Sequence, residues 1–257
     1  MEARSVSVTY DDIRVLERIS LQVECGALIT IVGASGCGKS TFLRVLLGQE
    51  RPSGGSLYLE GEPIADEPGP DRGIVFQRYS VFPHLTVMEN LTLPFEFAAP
   101  VTSRLFGAAR RNAHEQASHM MERLGLTPAA ARFPAQLSGG MQQRLALGQA
   151  LLKRPKILLL DEPFGALDPG TRRDMQDMLV TLWEETGMTV FMVTHDIQEA
   201  FDLGTRLLVF DKIRHDPQFP NAYGATITYD LALKRPVARG QEDGAAPPFY
   251  GLKDAHP

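Results

Sequence analysis

The chain is short of several things, and each shortage closes off a class of function. It has two cysteines, Cys25 and Cys37, in 257 residues. Cys37 lies in a glycine-rich segment that a disulfide would obstruct, so a reducing, cytosolic compartment is the simpler expectation. No apolar run approaches the roughly 20 residues needed to cross a bilayer. The opening residues, MEARSVSVTYDD, lack a basic segment followed by an apolar one. Neither export nor membrane spanning is therefore expected, while docking on a membrane protein stays open. Basic residues are not in excess: 26 Lys and Arg face 31 Asp and Glu, for a formal net charge of −5. That balance argues against a nucleic-acid binder that works by blanket phosphate neutralisation, though not against a local basic patch. With 44% hydrophobic and 22% charged residues, the composition is that of a soluble globular protein with ample core.

The most informative stretch is Gly33-Ala34-Ser35-Gly36-Cys37-Gly38-Lys39-Ser40-Thr41, which fits G-x-x-x-x-G-K-[ST]. Ala27 to Val32 reads as an apolar strand before it. Lys39 to Leu47 reads as a helix after it, with Phe42, Val45 and Leu46 on one face and Gly48 as a stop signal. A strand, a glycine turn and a helix make a phosphate cradle. Glycines let the backbone N–H groups converge, and the helix N-terminus adds a positive dipole end. Lys39 is then placed for β- and γ-phosphates, Ser40 for Mg²⁺ and Thr41 for the α-phosphate.

Around this stretch, Ser5 to Tyr10, Ile19 to Val23 and Ser56 to Glu60 read as strands. Tyr10, at a strand end, has the chemistry to stack on a base, although an ordinary strand aromatic reads the same way. Gly73 to Phe76 is a short apolar strand ending on Gln77, whose amide suits a metal or an attacking water. Thr86-x-x-Glu89 is a capping box opening a helical segment. Arg104 to Leu124 is also predicted helical, with Ala108, His114, Ala117, Met120, Met121 and Leu124 near helical spacing and Arg104, Arg110 and Arg111 as a solvated face. These helices read as a subdomain over about 86–153, inserted in a single domain spanning 1–240. The Gly- and Pro-rich tail at 241–257 is expected to be poorly ordered.

Two further segments carry chemistry. Ser138-Gly139-Gly140 opens a second helix whose N-terminus, capped by Ser138, is another anion site. One nucleotide has little use for two such termini from one chain, whereas two chains head to tail can each lend one to the other. Lys156 to Leu160 is a continuous apolar strand suited to the centre of a parallel sheet, and it ends in Asp161-Glu162. Two adjacent carboxylates on one strand point to opposite sides and so need different jobs: Asp161 suits the Mg²⁺ shell and Glu162 suits polarising water. Thr171 to Thr186 reads as an amphipathic helix. Met188 to Thr194 is another buried strand, and it ends at His195, which is placed to sense a γ-phosphate or simply to serve the structure.

In this order the pieces resemble the nucleotide-binding subunit of ATP-binding cassette (ABC) transporters, over about residues 4 to 210. Gly33 to Thr41 looks like Walker A, Gln77 like the Q-loop glutamine and Leu137 to Gln142 like the signature motif. Ile157 to Asp161 looks like Walker B with Glu162 as the catalytic carboxylate, Asp168 like the D-loop aspartate, and His195 like the switch histidine. Tyr10 falls where the family stacks adenine. The resemblance implies an α/β P-loop cassette: a mainly parallel core sheet, an antiparallel β-subdomain and an inserted helical subdomain. It implies ATP and Mg²⁺, with Ser40, Gln77 and Asp161 around the metal. It further implies a dimer of ATPase subunits, identical copies in the simplest case, closing on two ATP molecules. Integral-membrane permease subunits would be driven by that closure and served by a solute-binding protein. No nucleic acid is involved, and the location is peripheral, on the cytoplasmic face of the inner membrane. RYSVFPHLTVMENL, from Arg78, would form the groove that receives a permease helix.

Three departures from the family pattern stand out: Met141 where the signature usually has Gln, Gly148 in the helix after it, and the lack of a long C-terminal regulatory domain. Cys37, LSGGM and DEPFGALDPGTR look most like nitrate/sulfonate/taurine-type importers, and GATITYDLALKR is similar to urea- or guanidine-associated relatives. The other readings are a soluble ABC ATPase of DNA repair or translation, an exporter or lipid-transport cassette, and a regulatory cassette that binds ATP without turnover. The first is disfavoured by the single cassette without a heptad run, and the last by intact Lys39, Asp161, Glu162 and His195.

Overall fold

A computed structural model describes residues 1–65, 67–76, 81–98, 107–214, 216, 218–219 and 221–234. Gln77, Arg104 and the 241–257 tail lie outside the described residues, as does the Arg78 to Ser80 start of the expected groove.

Two sheets share one core. The first is antiparallel, in the order β2-β1-β4-β5, built from β1 (Glu2–Tyr10), β2 (Ile13–Gln22), β4 (Gly54–Leu59) and β5 (Glu62–Pro63). The second has six strands in the order β10-β9-β3-β8-β7-β6. Its strands are β3 (Leu28–Gly33), β6 (Arg72–Val75), β7 (Ile157–Asp161), β8 (Thr189–Val193), β9 (Arg206–Asp211) and β10 (Thr226–Ala232). All its pairings are parallel except β9 with β10.

The central strands are almost wholly apolar, with Thr30 and Thr189 the buried polar residues among β3, β7 and β8 before Asp161, because both faces are covered. Along β7, Leu158 and Leu160 face the core shared with the helices, while Ile157 and Leu159 face the core shared with the antiparallel sheet. A period of two thus fills two cores from one run of leucines. Helix α1 (Lys39–Leu47) lies in the second core through Phe42, whose ring meets Phe210 at 5.3 Å. It ends at Gly48, whose φ of 82° allows the left-handed cap.

Between β6 and β7 the chain inserts α2 (Val87–Ala98), α3 (Gly107–Arg123) and α4 (Gly139–Leu151). The capping box forms as expected: Thr86 N–H and Oγ1 both donate to Glu89 Oε2, and Glu89 N–H donates back to Thr86 Oγ1. Helix α3 keeps the predicted face at Ala117, Met120 and Met121, with Leu124 buried just beyond it, and departs from it nearer its start. Ala113, Ala117, Met120 and Met121 are buried, whereas Ala108 and His114 are exposed. Small alanines mark a helix face weakly, so both registers through Ala117 read alike in sequence. After β7 come α5 (Pro169–Thr186), between β7 and β8, and α6 (Ile197–Leu203), between β8 and β9.

Arg214 and Gly224, from the polar stretch after β9, lie against Glu17 on β2. Arg214 Nη2 lies 2.6 Å from Glu17 Oε1, and Gly224 N–H donates to Glu17 Oε2 at 3.3 Å. Among the described residues, no helix is long and apolar enough to cross a membrane.

Candidate functional site

Strand order brings the candidate residues to one edge. β8 lies between β3 and β7, so Ile31, Val193 and Asp161 stand in a single row. Everything that follows these residues emerges at the carboxyl ends of neighbouring parallel strands, where α/β sheets form their sites. The row continues past the strands: Thr194 N–H donates to Ile31 O at 3.1 Å, and Glu162 N–H donates to Val193 O at 2.9 Å.

The loop from Gly33 to Gly38 curls in front of α1. Gly38 caps the helix with φ of 88°, and a Cβ there would lie 2.7 Å from Leu16 Cδ2 and 2.9 Å from Val15 Cγ1. Only glycine meets both constraints, so β2 sets how tightly the loop closes. Lys39 begins α1 and is almost buried, at 7% exposure. Its Nζ donates to Gly33 O at 2.8 Å and to Ala34 O at 2.9 Å. The half-buried Cys37 has its Sγ 3.8 Å from the same ammonium.

Ser40 Oγ donates to Asp161 Oδ1 at 3.2 Å, joining the helix start to the end of β7. Burial holds the Asp161 carboxyl above its ordinary value. The Ser40 hydroxyl opposes this, and the neighbouring Glu162 charge adds to it. The two carboxylates do not simply alternate along a strand. Glu162 has φ of 48°, a left-handed conformation costly for a side chain of its size, which turns it out of the strand. There its Oε2 stands 3.4 Å from His195 Nδ1. Tyr10, at the end of β1, has Glu50 and Thr41 near its phenol, which places it beside the first turn of α1. Burial, and then Glu50, raise its phenol.

Ser138 and Asp168 form a second cluster. Ser138 caps α4, its Oγ accepting from Met141 N–H at 3.3 Å, and Gly139 and Gly140 make the first turn. Asp168 caps α5, its Oδ1 accepting from Gly170 N–H at 3.2 Å and Thr171 N–H at 3.1 Å. The Thr171 hydroxyl, first, and these N–H groups hold its carboxyl below the usual range. The neighbours of Gly139 and Gly140 are Leu167 and Thr171, beside Asp168. One chain therefore carries two anion-ready regions: the Lys39 cradle with Asp161, Glu162 and His195, and the Ser138 helix start beside Asp168.

Two buried amides escape a reading of the sequence, and the first ties these regions together. Gln143 on α4, 1% exposed, donates through Nε2 to Pro163 O, just after Glu162. Asn90 on α2 is fully buried, and its Nδ2 donates to Phe82 O, Leu85 O and Thr86 O at 2.9–3.1 Å. Its Oδ1 accepts from Phe82 N–H at 2.8 Å and from Gln149 Nε2 at 3.0 Å. An amide between Val87 and Leu91 on a buried helix face was the available signal.

The profile of the ABC transporter family matches residues 16–165. The chain is 44% identical to a nitrate import ATP-binding protein of Synechococcus elongatus, over 76% of this chain and 68% of that protein. It is 42% identical to a taurine import ATP-binding protein of Rhizobium johnstonii, over 94% of this chain and 87% of that one. A solved dimeric ATP-binding cassette in a post-hydrolysis state, bound to ADP and Pi, superposes with a TM-score of 0.73 at 30% identity, covering 91% of this chain and 98% of that chain. With the loop, the carboxylate pair and the capped second helix already in place, these matches fix the family: the chain belongs to the ABC transporters, as an ATP-binding cassette.

Proposed function

We propose that this chain is the ATP-hydrolysing, energy-coupling subunit of a binding-protein-dependent importer for a small polar solute. The observation that carries the reading is the Glu162–His195 pair, which stands beside the Ser40–Asp161 bond at the mouth of an intact phosphate loop. Relatives named for nitrate and taurine import support the direction of transport and the small solute.

The chemistry follows from the side chains. The α1 N-terminus, the N–H groups of Gly33 to Gly38, and Lys39 attract the triphosphate. Thr41 takes the α-phosphate, and Tyr10 supports the base. Ser40 and Asp161 suit Mg²⁺: both offer hard oxygen ligands, and Asp161 carries a partly desolvated charge that a cation would compensate. Bound there with Gln77, Mg²⁺ would neutralise phosphate charge. Glu162 accepts the proton of the attacking water, and His195, through Nδ1, fixes the direction of that carboxylate. Ser138, Gly139 and Gly140 face the nucleotide of a second copy, which explains why the signature helix start sits beside Asp168 and not beside Lys39 in its own chain. Two copies then enclose two nucleotides.

The cassette forms one domain over 1–240, with the helical insertion at about 86–153, and works on the cytoplasmic face of the cell membrane. A groove of about 220 Å³ between β6, α2 and α4 includes Val75, Phe82, Phe97 and Gln149. Phe82 and Phe97 are exposed, with ring centroids 6.4 Å apart, an apolar seat for a permease helix.

The test is Glu162→Gln. Turnover should fall by at least about 10²-fold while ATP binding persists and a dimer accumulates. Unchanged turnover would remove Glu162 from its role. Pull-down of the ATP-bound variant from native membranes should recover a polytopic membrane protein. Recovery of only ribosomal or DNA-repair partners would refute the importer reading.

A further inference from the structure

The loop carrying His195 is held from behind by a buried carboxylate. Glu199 on α6 is 7% exposed, and glutamates are rarely so buried unless well partnered. Its Oε2 accepts from the Thr194 hydroxyl at 2.5 Å, and its Oε1 accepts from Gln176 Nε2 at 2.8 Å. Thr194 is 2% exposed, at the end of β8. A carboxylate only accepts, so the Thr194 proton points to Glu199. The hydroxyl oxygen is then free to accept the Asp196 N–H, which donates to it at 3.0 Å. Asp196 in turn caps α6, its Oδ1 accepting from Glu199 N–H at 3.1 Å, and its Oδ2 lies 3.7 Å from Arg172 Nη1. Both neighbours of His195 are thus pinned, while the His195 side chain stays 66% exposed and faces Glu162.

We propose that Glu199 is a positioning residue for hydrolysis. Through Thr194 it sets the main-chain path of the His195 loop. Through Gln176 it ties that path to α5, the helix that begins at Asp168. Movement of α5 is thereby transmitted to the His195–Glu162 contact within one chain. This rests on the role given to His195 above.

The experiment is steady-state ATPase kinetics on the full-length chain, with Glu199→Ala, Glu199→Gln, His195→Ala and the double variant Glu199→Ala/His195→Ala. Glu199→Ala should lower kcat about tenfold or more, because small misplacements near the reacting groups are costly. KM for ATP should stay within about twofold, since ground-state binding is untouched. Glu199→Gln should restore most of the rate. Its amide oxygen accepts from Thr194, and its NH₂ donates to a flipped Gln176. In the double variant the two losses should overlap, not multiply. Thr194→Val cuts the same connection from the other end and should reproduce Glu199→Ala. Multiplying losses, or a Glu199→Gln variant as slow as Glu199→Ala, would overturn the proposal. A parental rate for His195→Ala would instead overturn the role of His195, and with it anything transmitted to it.

Discussion

Gly148 pits helix propensity against packing, and the structure says which wins. In the middle of α4 a glycine costs about 1 kcal/mol relative to alanine, so propensity alone predicts that Gly148→Ala stabilises the chain. A Cβ at Gly148 would lie 2.6 Å from Leu124 Cδ1, 2.9 Å from Leu91 Cδ2 and 3.4 Å from Met120 Cγ. Leu91 and Leu124 are fully buried, so their methyl groups have nowhere to swing. Overpacking of this kind costs about 1–3 kcal/mol. The net is a loss of about 0–2 kcal/mol. For a central loss of ~1 kcal/mol and a urea m-value of ~3 kcal/mol/M, the unfolding midpoint falls by ~0.3 M without a change in m. The clash is also separable. Leu124→Ala alone should cost about 2–5 kcal/mol, and adding Gly148→Ala to it should cost less than the sum, because the methyl then fills the hole. A Gly148→Ala chain that gains ~1 kcal/mol would refute the reasoning. It would mean that α4 does not rest on α2 and α3 as closely as described.

Asp161→Asn should stabilise the chain in the absence of nucleotide and Mg²⁺. A carboxyl raised above its ordinary 3.8 by burial binds its proton more tightly when folded, so its stabilising contribution is full in acid and is lost as pH rises through the folded pKa. The asparagine variant should therefore show a higher urea midpoint at pH 7, an advantage that shrinks towards pH 4, together with lost hydrolysis. A lower midpoint at pH 7 would contradict this. A maleimide should inactivate the protein through Cys37, whose Sγ lies beside Lys39, and ATP should protect, with Cys25→Ser as the background. Full activity after confirmed modification of Cys37 would refute the placement of that side chain in the phosphate site.

The parts legible in sequence were those governed by local rules. Helix α1 runs from Lys39 to Leu47 as its apolar spacing and Gly48 require, and β7 is buried on both faces as its unbroken leucines suggest. Asp161 and Glu162 were given different roles on the expectation that they alternate along one strand, whereas the strand ends at Asp161. Their separation comes from the left-handed turn at Glu162 and not from strand alternation. Glu17, Asn90 and Glu199 were silent for another reason. Each is a polar residue satisfied by a segment distant in sequence or by main-chain groups, and no local pattern specifies such a partner. Gly148 looked like a flaw until Leu91 and Leu124 were seen against it.

The lysine of the phosphate loop has one more consequence. Its ammonium already bonds to the Gly33 and Ala34 carbonyls of its own loop, so a ligand does not find a bare cation waiting. Binding is an exchange, in which incoming oxygens must replace two neutral acceptors that are well placed. A neutral nucleoside offers Lys39 nothing better than it has, whereas phosphate oxygens bring a negative charge of their own to bonds that the ammonium already strengthens. A ligand without phosphate should therefore gain nothing from Lys39, whatever its base contributes.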